Sequence, residues 1–172
     1  MASAQEVENR FQIYRAEDAA NLKDTGRMTM EPIAPNILDW AVKAAKAGYP
    51  NGEQVKLLVD IPGFSLTHVW FKKNFPLPLH SHDSDCLYYI IAGSLRLGTE
   101  DLGPGDSFFV PMDVPYAYRP GEEGVELLEF RTANAFNFVN HAKSEAFWAK
   151  AAQTCADNNE DWLSASPPSL RV

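Results

Sequence analysis

The middle of the chain alternates short apolar runs with turn residues, a pattern typical of a β-sheet protein. Runs rich in Val, Leu, Ile, Phe and Tyr predict strands at residues 55–61, 66–71, 87–91, 94–97, 107–110, 116–118 and 125–130. Pro-Gly or Ala-Gly pairs predict turns at residues 62–63, 92–93, 104–105 and 120–121. Many short strands with regular turns and no helical pattern between them indicate an antiparallel sandwich or barrel.

Two segments outside this region repeat apolar residues every three to four positions, which predicts one helix on each side of the strands. Asn36 is the expected N-cap of the first helix and Gly48 its C-terminal glycine, and the apolar stripe comprises Ile37, Leu38, Ala41, Val42 and Ala45. Ser144 is the expected N-cap of the second helix, whose apolar face comprises Phe147, Trp148, Ala151, Ala152 and Cys155.

These patterns divide one structural domain of 172 residues into three segments. Residues 1–53 form an N-terminal arm and helix, residues 54–131 form the barrel, and residues 132–172 form a C-terminal helix and tail. Within the first segment, residues 29–35 predict an extended arm, because a residue that precedes proline avoids the helical region. The last dozen residues are expected to form a loose tail.

Charge and composition narrow the classes of partner. The formal net charge of −8 repels phosphate backbones, so we expect binding to neither nucleic acid nor an anionic membrane. No apolar run approaches the ~20 residues that cross a bilayer, and the first residues do not resemble a secretory signal. Two cysteines, Cys86 and Cys155, do not suggest a disulfide framework. A soluble cytoplasmic protein is therefore expected.

Candidate chemistry centres on two of the four histidines, His80 and His82. Residues two apart in a strand point to the same face, so both imidazoles would face one volume. Neutral imidazoles that converge on one point are good ligands for a divalent transition metal such as Fe, Zn, Ni, Mn or Cu. The alternative interpretation is a surface pair without a function.

The residues around this pair resemble the cupin superfamily. The first cupin motif is similar to His80-x-His82-x3-Cys86-x6-Gly93, and the second to Gly105-x5-Pro111-x-Asp113-x2-Tyr116. The resemblance covers residues 54–131. It implies a mainly β fold, a small antiparallel jelly-roll barrel with N-terminal and C-terminal helices, and a metal held inside the barrel.

Of the motif positions that differ from the family pattern, two bear directly on the metal site. Cys86, with Asp85 beside it, stands where the pattern has a glutamate, and Tyr116 stands where it has its closing histidine. Metal ligands beyond the two histidines therefore stay open between Cys86, Asp85, Tyr116 and His68. Another interpretation makes Cys86 a small buried packing residue.

The expected function is that of a metal-dependent enzyme acting on a small organic molecule, as an oxygenase, isomerase or lyase. A dioxygenase-like oxidoreductase is the favoured type, with Tyr88 and Tyr116 as proton donors or anchors in an aromatic-lined barrel. Arg96 and Arg131 are expected in solvent, and the alternative is that they pair with a carboxylate substrate. The alternative is a non-catalytic cupin, a binding or sensor module that has lost its full ligand set. We also expect a homodimer, because the apolar arm and an exposed strand edge need covering.

Overall fold

The structure is a computed structural model that describes residues 11–170. In this range the strands are β1 (Ala20–Asn21), β2 (Met28–Met30), β3 (Glu53–Ile61), β4 (Phe64–Phe71), β5 (His80–Ser81), β6 (Cys86–Leu97), β7 (Glu100–Leu102), β8 (Ser107–Val110), β9 (Arg119–Arg131) and β10 (Phe136–Asn140). The helices are α1 (Leu38–Lys46) and α2 (Glu145–Ser164), and short 3-10 turns lie at Ala16–Asp18, Leu22–Asp24, Pro35–Ile37, Tyr49–Asn51 and Pro168–Leu170.

The strands form two sheets that enclose a common interior. The larger sheet has the order β1-β3-β4-β9-β6-β7, with β8 paired to β6, and its neighbours are antiparallel. The smaller sheet has the order β2-β10-β5, in which β10 is parallel to β2 and antiparallel to β5. The barrel is not closed by continuous strand pairing. The predicted mainly β fold with a helix on each side is confirmed.

Two predicted turns lie inside strands. The Ala92-Gly93 pair belongs to β6, where the register with β9 shifts on both sides of it, and the Pro120-Gly121 pair belongs to β9. Gly93 takes a φ of 72°, which suits a β-bulge. The bulged strand β6 therefore replaces two of the shorter predicted strands, and β9 extends the predicted strand at 125–130 back to Arg119. The predicted strand at 116–118 is reduced to a bridge between Tyr116 and His80.

Replacing Gly93 by alanine is expected to destabilise the fold by at least about 2 kcal/mol. Positive φ costs about 1–2 kcal/mol for a residue with a Cβ, and this Cβ would also meet the Gly124 carbonyl oxygen far inside contact distance. Gly63→Ala is the matched control, because its φ is 77° but its Cβ would meet nothing within 4 Å. Urea denaturation checks the difference, and equal losses in the two variants would contradict the bulge argument.

Both predicted helices are present, but the caps and the buried faces differ from the predicted ones. In α1 the buried residues include Ala41 and Ala44, whereas Val42 and Ala45 are exposed. Asn36 does not cap the helix; it lies in the preceding turn, and its Nδ2 donates to the Lys143 carbonyl at 3.0 Å. Ser144 is the N-cap residue of α2, without a side-chain capping bond.

The terminal segments of the described chain pack against the sheets. The predicted arm contributes β2, which pairs with β10 of the same chain. The predicted loose tail begins instead as the end of α2, and its Pro168 is buried. Between residues 11 and 170, the structure contains no helix long and apolar enough to cross a membrane.

Candidate metal and ligand site

A cavity of about 460 Å³ lies between the two sheets. The larger sheet and the loop before it supply aromatic, apolar and charged walls. The smaller sheet supplies His80 and two phenylalanines, and His82 directly follows its strand β5. Lining residues include Tyr49, Val55, Phe71, His80, His82, Tyr116, Tyr118, Glu129, Arg131, Phe136 and Phe138. Small-molecule sites in proteins are typically apolar clefts of about 300–1,000 Å³ with a few convergent polar groups, and this cavity has that character.

His80 and His82 face this cavity together, as the sequence predicts. Their ring centroids are 5.0 Å apart. The Nδ1 of His80 donates to the Pro78 carbonyl at 2.8 Å, and that of His82 donates to the Asn137 carbonyl at 2.5 Å. Because a carbonyl only accepts, each Nδ1 carries the proton and each Nε2 keeps its lone pair.

This arrangement fits two ligands of one metal ion. With a metal–nitrogen bond of about 2.1 Å, each ring centre lies roughly 3 Å from the metal, so a centroid separation of 5.0 Å matches two imidazoles on one ion. Burial lowers the pKa of His80 to about 4 and also lowers the pKa of His82. Both rings are therefore neutral at pH 7, which is the form that binds metals.

The depressed pKa of His80 predicts a loss of stability in acid. The unfolded chain protonates this residue below about pH 6.5, whereas the folded chain does so only near pH 4. Between these values the unfolded state binds more protons, so the free energy of unfolding falls as the pH is lowered from 6.5 to 4, by up to about 3 kcal/mol.

Denaturant titrations of metal-free protein at several pH values check this prediction. Other groups also titrate in this range, so the informative quantity is the difference between the wild type and His80→Gln. The variant should show a flatter pH dependence. Identical slopes for the two proteins would contradict the buried neutral state of His80.

A buried ion pair forms one wall of the cavity and was missed by the sequence analysis. Arg131 is only 2% exposed and Glu129 only 8%. Arg131 Nη1 donates to Glu129 Oε2 at 2.6 Å, and Thr67 Oγ1 donates to the same oxygen at 2.9 Å. Burial opposes ionisation of Glu129, but Arg131 outweighs it, so the pKa of the carboxyl is lowered. The expectation that Arg131 lies in solvent is wrong.

Tyr116 lies beside the histidines, and Tyr88 contacts Tyr116 from the interior of the larger sheet. Tyr116 exchanges both backbone hydrogen bonds with His80, and the centroids of these two rings are 4.4 Å apart. The hydroxyls of Tyr88 and Tyr116 are hydrogen-bonded to each other. Burial raises the pKa of both phenols, so both stay protonated and can donate. The structure therefore brings both predicted tyrosines to one polar cluster.

Cys86 points into the interior but has the properties of a packing residue. It is almost fully buried, and burial raises the pKa of its thiol to about 12. Cys86 is not among the residues that line the cavity of the two histidines, which favours the packing interpretation. Cys86 and Tyr88 are both buried and Leu87 is exposed, as the alternation of the predicted strand requires.

Two other predicted ligands do not reach the histidine pair. His68 lies on the outward face of β4, where its Nε2 is 3.1 Å from Glu126 Oε1. Asp85 Oδ1 accepts a hydrogen bond from the Met112 backbone nitrogen at 2.8 Å. Within the described residues, no group of three or more His, Cys, Asp or Glu side chains is placed to hold a metal ion. The pair therefore has no third ligand of these types in the described part of the chain.

No family model and no curated protein matches the chain. Solved structures do match. An RmlC-like cupin from Shewanella frigidimarina is 24% identical over 48% of this chain and 78% of its own, with a TM-score of 0.43. The polyketide cyclase RemF from Streptomyces resistomycificus is 21% identical over 60% of this chain and 84% of its own, with a TM-score of 0.48. Oxalate decarboxylase from Bacillus subtilis is 22% identical over 48% of this chain and 25% of its own, with a TM-score of 0.43.

Proposed function

We propose that this chain is a metal-binding cupin enzyme that acts on a small organic molecule in the cavity between its sheets. The observation that carries the proposal is the pair His80 and His82, two neutral imidazoles with fixed tautomers that leave both Nε2 atoms free. Both residues line the cavity of about 460 Å³, so these two lone pairs are available to a metal ion there. Second-shell carbonyls that orient histidines in this way are typical of metal sites.

A divalent transition metal held by His80 and His82 would supply a Lewis acid that polarises a substrate oxygen. A catalytic metal site keeps at least one coordination position open for water or substrate, and two protein ligands would leave more than one. Cys86 is not among the residues that line the cavity with His80 and His82, so the proposal leaves its sulfur out of the ligand set. Imidazole ligands alone suit Fe, Zn, Ni, Mn or Cu, so the metal's identity stays open.

The other lining residues bind and orient the substrate. Phe71, Phe136 and Phe138 offer aromatic walls that exclude water from an apolar substrate body. The protonated hydroxyl of Tyr116, hydrogen-bonded to Tyr88, can donate to a carbonyl or hydroxyl oxygen of that substrate. These roles suit an oxygenase, isomerase or lyase reaction, with the dioxygenase-like type as our prediction.

A second candidate is a binding or sensor module that holds a ligand without converting it. The absence of a third His, Cys, Asp or Glu ligand near the pair, within the described residues, favours this candidate. The same cavity and aromatic walls would serve both functions. The two differ in whether the histidine pair retains a metal.

Elemental analysis of protein purified without added metal tests the proposal. A metal-dependent enzyme should carry close to one Fe, Zn, Ni, Mn or Cu ion per chain, or take up one when that metal is supplied. A chain that refuses each of these metals would contradict the enzyme proposal and favour the module. A His68→Gln variant is a suitable control, because this histidine lies on the outward face of the sheet.

A further inference from the structure

The larger sheet carries a carboxyl group into the cavity that has no role in the proposed mechanism. Glu53 is the first residue of β3, where it is paired in register with Phe71 of β4. Residues paired in register project from the same face, and Glu53, Val55 and Phe71 all line the cavity. The strand pairing therefore directs this carboxyl toward the same interior that the histidine pair faces.

The carboxyl of Glu53 has no partner in the described chain. Within residues 11–170 it makes no hydrogen bond and no ion pair. A carboxylate inside a protein is normally paired or hydrogen-bonded, as that of Glu129 is by Arg131 and Thr67. The oxygens of Glu53 are therefore available to a molecule that fills the cavity, whereas those of Glu129 are already engaged.

The surroundings of Glu53 bring its carboxyl close to the midpoint of its titration at neutral pH. Burial raises its pKa to about 7, although the cation of Lys23 on the turn Leu22–Asp24 acts to lower it. The neighbouring Tyr49 stays protonated, because burial and the charge of Glu53 both raise the pKa of its phenol. A general base works best when its pKa lies near the working pH, and Glu53 meets this condition.

The other acids and bases of the cavity keep one protonation state around neutral pH. Glu129 is ionised beside Arg131, whose guanidinium keeps its charge. The two histidines are neutral, and the phenols of Tyr116 and Tyr118 are protonated. Among the described carboxyls, imidazoles and phenols that line the cavity, Glu53 is therefore the one that titrates near pH 7.

We propose that Glu53 is the general base of this cavity and that the substrate is a carbonyl compound with a C–H bond next to its carbonyl group. The C–H bond breaks as its proton moves to the carboxylate of Glu53, and the electron pair moves onto the carbonyl oxygen to form an enolate. Tyr116, on a different wall of the cavity, donates a hydrogen bond to that oxygen. Return of the proton to another atom of the enolate completes an isomerisation.

This inference rests on the proposed function in taking the cavity as the reaction site. The step is common to isomerases and lyases, and it also gives the electron-rich form of a substrate on which an oxygenase acts. A base on the larger sheet and a hydrogen-bond donor beside His80 would hold the substrate between them, since a ligand that fills a cavity of about 460 Å³ contacts both walls.

Ring opening of nitrobenzisoxazole by metal-free protein tests the proposal. This flat apolar probe gives its C–H proton to a base while its N–O bond breaks and the electron pair moves to oxygen, which yields a coloured phenolate. The wild type should accelerate the reaction over buffer, and the rate should rise with pH through a midpoint near 7. Glu53→Gln should lower the accelerated rate on the order of 100-fold, with circular dichroism to verify its fold.

Glu126→Gln is the matched control, because its carboxyl is also buried but is held by His68 on the outward face of the sheet. It should keep the wild-type rate. A wild type without acceleration, an unchanged rate in Glu53→Gln, or an equal loss in the control would overturn the proposal. A wild-type midpoint near pH 4 would assign the base to His80 and also overturn it. Because the protein is metal-free, these outcomes are distinct from a failure of the proposed function, which metal retention measures.

Discussion

Replacement of Arg131 by leucine is expected to destabilise the protein by roughly 3–5 kcal/mol, the largest stability effect that the structure predicts. The substitution removes the cation from a pair in which both side chains are buried. Glu129 would then be an uncompensated carboxylate in the interior, and breaking a buried pair from one side has a cost of this size. Among the described residues, Thr67 Oγ1 would remain as the hydrogen-bond donor to this carboxylate.

A surface pair of the same chemistry provides the control. Arg96 Nη1 donates to both carboxylate oxygens of Asp101 at 2.9 and 2.8 Å, but both side chains are well exposed. Arg96→Leu should therefore cost less than about 1 kcal/mol. Adding Glu129→Gln to Arg131→Leu should recover part of the loss, because a neutral amide replaces the stranded charge. Urea denaturation curves of these variants check the comparison, and equal costs at positions 96 and 131 would contradict the buried pair.

The second large effect is expected at the histidines. Replacing His80 and His82 together by alanine should weaken transition-metal binding by at least about 100-fold, because it removes both available Nε2 ligands. The strands β5 and β10 should still pair, since their contact is made by backbone atoms. Circular dichroism should therefore keep the wild-type β spectrum. A variant with wild-type metal affinity would place the metal elsewhere.

Alternation along the strands was sufficient to predict much of this fold. It predicts that Cys86, Tyr88 and Ile90 point inward and that Leu87 and Tyr89 point outward, and the structure has this arrangement. Alternation does not tell which face of β4 encloses the cavity. His68 was therefore a candidate ligand, although it lies on the outward face with Glu126.

The parts that could not be predicted depend on contacts between distant segments. Glu129 and Arg131 are charged, and charged residues are usually in solvent. Their burial depends on each other and on Thr67, which belongs to another strand. Glu129 and Arg131 share the inward face of β9 with Leu127. This alternation along the strand is the signal that could have indicated their burial. The strand β10 was missed because its short run, Phe136–Asn140, has no turn signal of the kind used for the others.

The glycine turns show a similar limit. Pairs such as Ala92-Gly93 mark a backbone with positive φ, but they do not distinguish a turn from a bulge. The distinction depends on whether β9 runs alongside both flanking segments, as it does here. Cys86 is a comparable case, because alternation places its side chain inward but does not tell whether it lines the cavity.

The central claim is that His80 and His82 together bind a divalent transition metal, and a metal titration followed by calorimetry tests it most directly. The wild type, the double variant His80→Ala with His82→Ala, and the control His68→Gln would be titrated as metal-free proteins. We predict one site per chain in the wild type and in the control, and loss of that site in the double variant. Equal binding by all three proteins, or no binding by the wild type, would contradict the account.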